Sequence, residues 1–257
     1  MNHSTAAYFG KGYYTLYRNI LLPREQTEAE VEFILERVRP QAGQRWLDLP
    51  CAYGRHLFSL AQLEPRLELH GADLNCTYLM EPGLEQLATR VCCSMQKLPY
   101  ADRCFDVILN LLNSFGYDPP CEAGPSGRSQ PFIGILAEFN RVLGAGGWLV
   151  LDLPNRRPMI QLIREQPYIH YSVDHMEAAE TFSWDVARES IFNTTEWKWP
   201  GGEETGHYTL RLFTPGQIRD LLDRCGFRIR QLNGDFSGSD FSPWNSDRML
   251  IFAQKQS

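Results

Sequence analysis

No stretch of this sequence is apolar over the roughly 20 residues that a helix needs to cross a bilayer. Residues 1–10 lack the charged start and the following apolar run of a secretory signal. We therefore expect a cytoplasmic protein without a membrane partner.

Positive charge is also in short supply. The chain of 257 residues has 25 lysines and arginines against 31 aspartates and glutamates, for a formal net charge of −6. A surface that binds nucleic acid normally needs a basic face. The composition therefore argues against a nucleic-acid partner and favours a small-molecule substrate.

The seven cysteines form no Cys-x-x-Cys pair and no group with histidines at the spacing of metal ligands. His170 and His175 also lack such a spacing, and we expect no metal site. The odd number of cysteines and the missing framework predict reduced thiols.

Apolar residues make up 43% of the chain and aromatic residues 12%, which is ample for a packed core. Short apolar runs alternate with segments of helical periodicity, and this alternation predicts a doubly wound, mostly parallel sheet with helices on both faces. The expected strands are 46–49, 67–74, 91–94, 105–110 and 148–153. The expected helices are 24–38, 55–63, 78–88 and 132–143.

The pattern changes after Asn155. Residues 171–213 alternate apolar and polar side chains around a Pro200-Gly-Gly turn, which predicts an inserted β element of two or three antiparallel strands. A helix that begins at Thr214 and a final pair of strands follow. Between the two halves, residues 118–131 are rich in proline, glycine and serine and predict a surface loop.

The most informative stretch runs from Trp46 to His56, where an apolar strand leads through a tight turn into an amphipathic segment. Asp73 closes the next predicted strand. This is the layout of a nucleotide-binding βα unit, in which a helix N-terminus faces the ligand and the acidic residue accepts hydrogen bonds from ribose hydroxyls. The alternative is that Asp73 only caps the following helix.

Several segments occur in the order known from one enzyme family. They are Phe9–Tyr17 with its tyrosines, Thr27–Val31, Leu47–His56, Asn110–Tyr117, Glu138–Gly147, Thr214–Phe227 and Gly234–Ser239. Over essentially the whole chain they resemble the class I S-adenosylmethionine-dependent methyltransferases, in particular a bacterial small-molecule group. The resemblance implies a Rossmann-like fold, S-adenosylmethionine as the cofactor, and methylation of a small metabolite in small-molecule biosynthesis.

The resemblance also divides the chain and assigns residues. The expected parts are a helical cap over 1–45, a cofactor-binding domain over 46–155 and 214–257, and a β insertion over 156–213 that covers the substrate pocket. The residues expected to bind the cofactor are Asp48, Leu49, Pro50, Ala52, Gly54, His56, Asp73, Leu74, Ser94, Met95, Asn110 and Leu111. Those expected to act in catalysis are Asn110, Tyr117 and Tyr17. Those expected to line the substrate pocket are Tyr13, Tyr14, Tyr17, Asn113, Phe115, Tyr117, Asn155, Trp184 and Tyr208.

Three positions depart from the family pattern. Pro50 and Ala52 stand where the family has glycine, and Ser94 stands where it has aspartate at the adenine end. Proline lacks an N–H and alanine restricts φ, whereas serine carries no charge. Two alternatives to methylation therefore stay open. One is attack on the aminocarboxypropyl carbon, by transfer of that arm or by cyclisation to azetidine-2-carboxylate with release of methylthioadenosine; the other is a non-catalytic binding protein.

Further expectations concern packing and assembly. The N-terminal tyrosines either form a lid over the cofactor or only hold a terminal helix in place. Trp184 and the other tryptophans of the insertion fit packing on a sheet face as well as a substrate pocket. Arg156 and Arg157 are expected in a solvated loop, and the assembly is expected to be a monomer or a homodimer.

Overall fold

The computed structural model describes residues 8–117, 130–173 and 175–256, except the side chains of residues 19 and 20. Its strands are β1 Arg45–Asp48, β2 Glu68–Asp73, β3 Ala88–Cys92, β4 Phe105–Asn110, β5 Leu143–Pro154, β6 Tyr168–Val173, β7 Met176–Asp185, β8 Ser190–Trp199, β9 Gly202–Arg211, β10 Phe227–Asn233 and β11 Arg248–Lys255. The central sheet has the order β10-β11-β5-β4-β1-β2-β3. Its pairs from β5 to β3 are parallel, and β11 is antiparallel to both neighbours. This confirms the predicted doubly wound, mostly parallel α/β fold.

The helices of the described residues are α1 Lys11–Leu16, continued by a π turn over Tyr17–Leu21, α2 Arg24–Val38, α3 Arg55–Leu63, α4 Leu84–Leu87, α5 Gln130–Val142, α6 Arg156–Glu165 and α7 Pro215–Arg224. The predicted bounds of α2 and α3 are confirmed. Across these described segments, no helix has the length and apolar character needed to pass through a membrane.

Two strands differ from the prediction in their bounds: β3 is Ala88–Cys92 where 91–94 was expected, and β5 is Leu143–Pro154 where 148–153 was expected. Two further elements differ in kind. The helix expected over 78–88 is a 3-10 turn followed by the short α4, because Pro82 and Gly83, the latter with φ +87°, interrupt it. The loop expected at Arg156 and Arg157 is the start of α6. Arg156 pairs with Glu189 at 2.5 Å. Residues 118–129 of the predicted surface loop lie outside the described residues.

The core has one layer on each face of the central sheet. Successive strand residues point to opposite faces, so Leu47 packs in the layer under α5 and α7 while Trp46 packs in the layer under α2 and α3. Phe139 of α5 packs in the first of these layers, and Ile34 of α2 packs in the second. The fully buried strands expose only their ends, which leaves the carboxyl edge of the sheet as the place for a site.

A second, antiparallel sheet follows α6, in the order β6-β7-β8-β9. The sequence predicted two or three strands here, whereas the structure has four. One face of this sheet packs on the N-terminal segment around the fully buried Trp197. Gly12 lies so close that a Cβ there would be 2.6 Å from the Trp197 ring, and its N–H donates to Glu204 at 2.7 Å. The N-terminal segment is thereby tied to the second sheet.

The prediction that all cysteines are reduced is wrong for two of them. Cys76 and Cys92 form a disulfide, with 5.2 Å between their Cα atoms. The parallel pairing of β2 with β3 sets Asp73 opposite Cys92, so the turn after β2 returns Cys76 to bridging distance. Residues 16 positions apart carry no sequence signal of such a pair.

Asn155 lies between the central sheet and α6 and holds the 242–246 segment in place. Its side-chain Nδ2 donates to the carbonyls of Ser242, Pro243 and Ser246, and its backbone N–H donates to the carbonyl of Asp247. The residue is 1% exposed. The side-chain amide therefore stabilises the fold. The resemblance had implied that it contacts the substrate.

We expect Asn155→Ala to lower the free energy of unfolding by about 2 kcal/mol, because the carbonyls of Ser242, Pro243 and Ser246 lose the hydrogen bonds from the buried Asn155 amide. Urea denaturation of the purified variant measures this change. The matched control is Asn245→Ala, at an exposed position of the same segment, for which we expect a change within about 0.5 kcal/mol. Equal losses in the two variants would contradict the role given to Asn155.

Candidate functional site

A cavity of about 690 Å³ opens at the carboxyl ends of the parallel strands, under the N-terminal segment. This is the edge at which open α/β sheets bind their ligands. The turns after successive strands supply most of its wall. The lining residues are Phe9, Tyr13, Leu22, Leu49, Pro50, Cys51, Ala52, Tyr53, Arg55, His56, Asp73, Leu74, Asn75, Cys76, Thr77, Tyr78, Cys93, Ser94, Met95, Gln96, Leu111, Leu112, Ser114, Tyr117 and Ile135.

The turn after β1 is held by its two neighbouring strands. The N–H of Leu49 donates to Leu109 on β4, and the N–H of Cys51 donates to Ala72 on β2. Pro50 lies between them and brings no donor. Ala52 has φ +47°, the left-handed conformation that costs a non-glycine residue about 1–2 kcal/mol. Ala52 thus has a backbone conformation that is typical of glycine.

Gly54 ends this turn and begins α3, with φ +81°. A Cβ at this position would lie 2.6 Å from the side chain of Leu84. Both the backbone conformation and the close approach of α4 therefore require glycine. Gly54 shapes the turn from behind, without lining the cavity.

Asp73, at the end of β2, joins two walls of the cavity. Its carboxylate accepts the N–H of Ala52 at 2.8 Å and the N–H of Asn75 at 2.7 Å. Burial raises its pKa to about 6, against the lowering effect of these hydrogen bonds. A carboxylate has about four acceptor positions, so these two hydrogen bonds do not use all of them and a ligand in the cavity can donate to Asp73.

Asp48, at the end of β1, is buried next to the cavity wall and 1% exposed. Neither of its carboxylate oxygens has a hydrogen-bond partner among the described residues. Nδ1 of His56 lies 3.7 Å from Oδ2 of Asp48. A buried carboxylate in this state calls for a cation or a hydrogen-bond donor.

Glu30 of α2 is a site residue that the sequence did not reveal. It pairs with Arg55 at 2.7 Å and contacts Nε2 of His56 at 3.1 Å. Burial opposes its ionisation, but the hydrogen bond from His56 and the charge of Arg55 outweigh burial and lower its pKa to about 2. Glu30 therefore orients His56 towards Asp48. The only signal in the sequence was an acid on the apolar side of a helix.

The wall that follows β3 contains Ser94 and Met95, as the resemblance implied. The hydroxyl of Ser94 accepts the N–H of Gln96 at 3.2 Å and keeps its own proton available as a donor. Leu74 also lines the cavity and is 56% exposed. Neither Ser94, Met95 nor Leu74 carries a charge.

The three residues expected to act in catalysis have different surroundings. Tyr117 lines the cavity. Tyr17 stacks on Tyr13 with 4.2 Å between ring centroids and is one ring further away. Asn110 is fully buried and donates from Nδ2 to the carbonyl of Leu49 at 2.6 Å, so it supports the turn from below. Burial raises the pKa values of Tyr17 and Tyr117 well above the ordinary value, which keeps both phenols protonated.

Several residues expected in the substrate pocket do not line this cavity. Phe115 is fully buried and packs on Phe132 and Phe213 in the core. Asn113 accepts from Arg248 instead. The strand-end turn rotates these two residues away because Asn113 itself takes φ +65°.

The remaining members of that set lie around the cavity at a distance. Tyr14 donates to Glu81 at 2.5 Å, and burial and this hydrogen bond raise its pKa to about 12. Trp184 belongs to an apolar cluster around Ile191 and Leu210 that also includes Tyr117, and Arg156 lies over its ring. Tyr208 contacts the back of Tyr117 at 5.3 Å between ring centroids. Asn155 is engaged with the 242–246 segment, as described above.

Comparisons with known proteins agree with this architecture. No protein-family model matches the sequence, and no curated protein matches it significantly. Solved structures do match. The CcbJ methyltransferase from Streptomyces caelestis has 16% identity and a TM-score of 0.76, with 100% of each chain covered.

Two further solved structures are similar over almost their whole length. The sugar N-methyltransferase KedS8 from a Streptoalloteichus species has 18% identity and a TM-score of 0.73, covering 97% of this chain and 94% of that one. CalS10 from Micromonospora echinaspora, an amino pentose methyltransferase with bound S-adenosylmethionine, has 18% identity and a TM-score of 0.66, covering 96% of this chain and 98% of that one. The chain therefore has the fold of the class I S-adenosylmethionine-dependent methyltransferases.

Proposed function

We propose that this protein is an S-adenosylmethionine-dependent methyltransferase that acts on a small molecule. The observation that carries the proposal is the cavity at the carboxyl edge of the sheet, with the carboxylate of Asp73 in its wall. Its volume of about 690 Å³ lies within the usual range of small-molecule sites. The likeness to CcbJ, KedS8 and CalS10, which are methyltransferases by name, supports the same conclusion.

The residues of the cavity fit this cofactor. Among the described residues the buried carboxylate of Asp48 has no hydrogen-bond partner, and the ammonium group of the methionine arm would supply a donor and a positive charge. The N–H groups at the start of α3 would hold the carboxylate of the same arm. Asp73 would accept hydrogen bonds from the ribose hydroxyls, and Ser94 and Leu74 would hold the adenine.

When bound, the cofactor supplies a methyl group on a positively charged sulfur. Phe9, Tyr13 and Tyr117 line the cavity and would place aromatic side chains around that group. Aromatic faces attract such a cation by about 0.5–2 kcal/mol and exclude water. Because burial keeps the phenols protonated, Tyr117 orients the acceptor by hydrogen bonding and does not act as a base. Catalysis in this proposal is mainly positioning for in-line displacement.

The three parts of the chain divide this work. In the proposal, residues 46–155 and 214–257 bind the cofactor. The cap over 1–45 and the β insertion over 156–213 enclose the acceptor. The packing of α1 on the second sheet supports this division, because it joins the two covering parts above the cavity.

A second candidate function keeps the cofactor but changes the carbon that is attacked. Its supporting observation is the turn after β1, where Pro50 has no N–H and the N–H of Ala52 is donated to Asp73. Two donors of the turn are therefore withheld from the methionine arm. If the methionine arm is held differently, its aminocarboxypropyl carbon is attacked in place of the methyl group. The result is transfer of that arm or cyclisation to azetidine-2-carboxylate.

Incubation with S-adenosylmethionine separates these functions. With a panel of small-molecule acceptors we expect S-adenosylhomocysteine, detected by mass spectrometry, and with cofactor alone we expect no methylthioadenosine. Release of methylthioadenosine from cofactor alone would select the second candidate. If calorimetry finds no binding of S-adenosylmethionine, both enzyme functions are excluded and a non-catalytic role of the fold remains.

The affinity for S-adenosylmethionine should depend on pH through Asp73. Burial raises the pKa of this carboxyl to about 6, and ribose hydroxyls donate to the ionised form, so binding is stronger above that pKa. We expect the affinity to fall roughly tenfold from pH 7 to pH 5, measured by calorimetry.

Substitution at Asp73 tests the cause of this dependence. Asp73→Asn is expected to weaken binding at pH 7 and to remove the fall at lower pH. Asp223→Asn, at an exposed position of α7, is the matched control and should retain both. An unchanged tenfold fall in Asp73→Asn would show that another group is responsible.

A further inference from the structure

A second cavity, of about 680 Å³, lies between α6, the start of α7 and the 242–246 segment. None of its lining residues lines the cavity at the carboxyl edge of the sheet. Its volume also falls within the usual range of small-molecule sites. The proposed function gives this second cavity no role.

The wall of the second cavity is positively charged. Three arginines line it, Arg156, Arg157 and Arg164, against one acid, Glu165, whose carboxylate accepts a hydrogen bond from Nε2 of Gln161 at 2.9 Å. The chain as a whole has a formal net charge of −6, so the sign of the charge is reversed here. A local excess of one sign attracts ligands of the opposite sign.

Two of these arginines are not neutralised by a carboxylate. Arg156 pairs with Glu189 at 2.5 Å, but among the described residues neither Arg157 nor Arg164 forms an ion pair. Because they are seven positions apart on α6, they lie on the same face of the helix, with about 10 Å between their Cα atoms. Both residues are exposed, so their guanidinium groups are open to a ligand.

The side chain of Trp244 holds Arg157 in place. The guanidinium carbon of Arg157 lies 3.4 Å from the centroid of the Trp244 ring, and Trp244 is 61% exposed. Stacking on a ring restricts the guanidinium group without using its N–H donors. An arginine held in this way is preorganised to bind an oxyanion through two hydrogen bonds.

Two helix N-termini add to the positive potential. Asn155 and Thr214 line the cavity and are the N-cap residues of α6 and α7. The hydroxyl of Thr214 caps α7, whereas the side chain of Asn155 bonds to the 242–246 segment and does not cap α6. The positive end of the α6 dipole therefore remains available to an anion.

We propose that the second cavity binds a small molecule that carries a phosphate group. Arg157 and Arg164 donate to the phosphate oxygens, because the planar fork of a guanidinium group matches their geometry. A phosphate monoester carries nearly two negative charges at neutral pH, which corresponds to two arginines without an ion pair. Ile160, which lies between the two arginines on α6, and Trp244 contact the rest of the ligand.

Paired probes test the ligand class. The purified protein is titrated, by calorimetry, with glucose 6-phosphate and glucose, phenyl phosphate and phenol, and glycerol 3-phosphate and glycerol. We expect at least one phosphate to bind at least tenfold more tightly than its partner without phosphate, and its affinity to fall as salt is added. If none of the phosphates is preferred, the proposal is overturned.

Variants show where the phosphate binds. Arg157→Gln and Arg164→Gln should each weaken binding of the preferred phosphate at least fivefold, because each removes a charged donor. The matched control is Arg228→Gln, at an exposed position of β10 that does not line the cavity, and it should resemble the wild type. Equal losses in the control and in Arg157→Gln would overturn the proposal, since the phosphate would then respond only to the overall charge.

Substitution of Trp244 tests the stacking. Trp244→Ala leaves Arg157 without its ring and should weaken phosphate binding at least threefold, whereas Trp244→Phe retains an aromatic face and should stay close to the wild type. Equal affinity in Trp244→Ala and the wild type would contradict the part given to the ring. Thermal unfolding of each variant establishes that it is folded.

The affinity for S-adenosylhomocysteine separates this inference from the proposed function. All of these variants should keep the wild-type affinity for it, because the two cavities share no lining residue. A protein that binds the phosphate but not S-adenosylhomocysteine would overturn the proposed function and support this inference. A protein that binds S-adenosylhomocysteine and prefers no phosphate would do the reverse.

Discussion

The site depends on the way in which the turn after β1 is clamped between two strands. Leu49 and Cys51 donate their N–H groups outward to β4 and β2, and Asn110 supports the carbonyl of Leu49 from below. Ala52 then donates to Asp73. These bonds fix the backbone even though two glycine positions of the family pattern are proline and alanine. Because these hydrogen bonds fix the conformation of the turn, they also fix the part of the cavity wall that the turn forms.

Charge is the second organising feature. Asp48 and Asp73 are carboxylates buried within or beside the cavity, whereas Glu30, which contacts His56, is paired with Arg55. Burial raises the pKa of Asp73, which shows the free-energy cost of keeping it ionised. A protein that keeps such groups around a cavity is suited to ligands with ammonium and hydroxyl groups. The proposed cofactor has both.

Much of the fold could be predicted because its signals are local. Helices α2 and α3 and strand β4 have the bounds that hydrophobic periodicity indicated. The cavity also contains the strand-end residues that the motif implied, including Asp73 and Ser94. Elements without a local signal were missed. Helix α6 begins at Arg156, whose side chain pairs with Glu189, 33 positions further along the chain.

The sequence by itself determined the order of strands and helices and the position of the turn from Trp46 to His56, because these follow from short-range patterns. Only the tertiary structure decided which side chains meet. It placed Phe115 in the core and Asn155 under a loop, and it joined Cys76 to Cys92. Such outcomes depend on strand pairing between distant segments, and no local pattern of residues encodes that pairing.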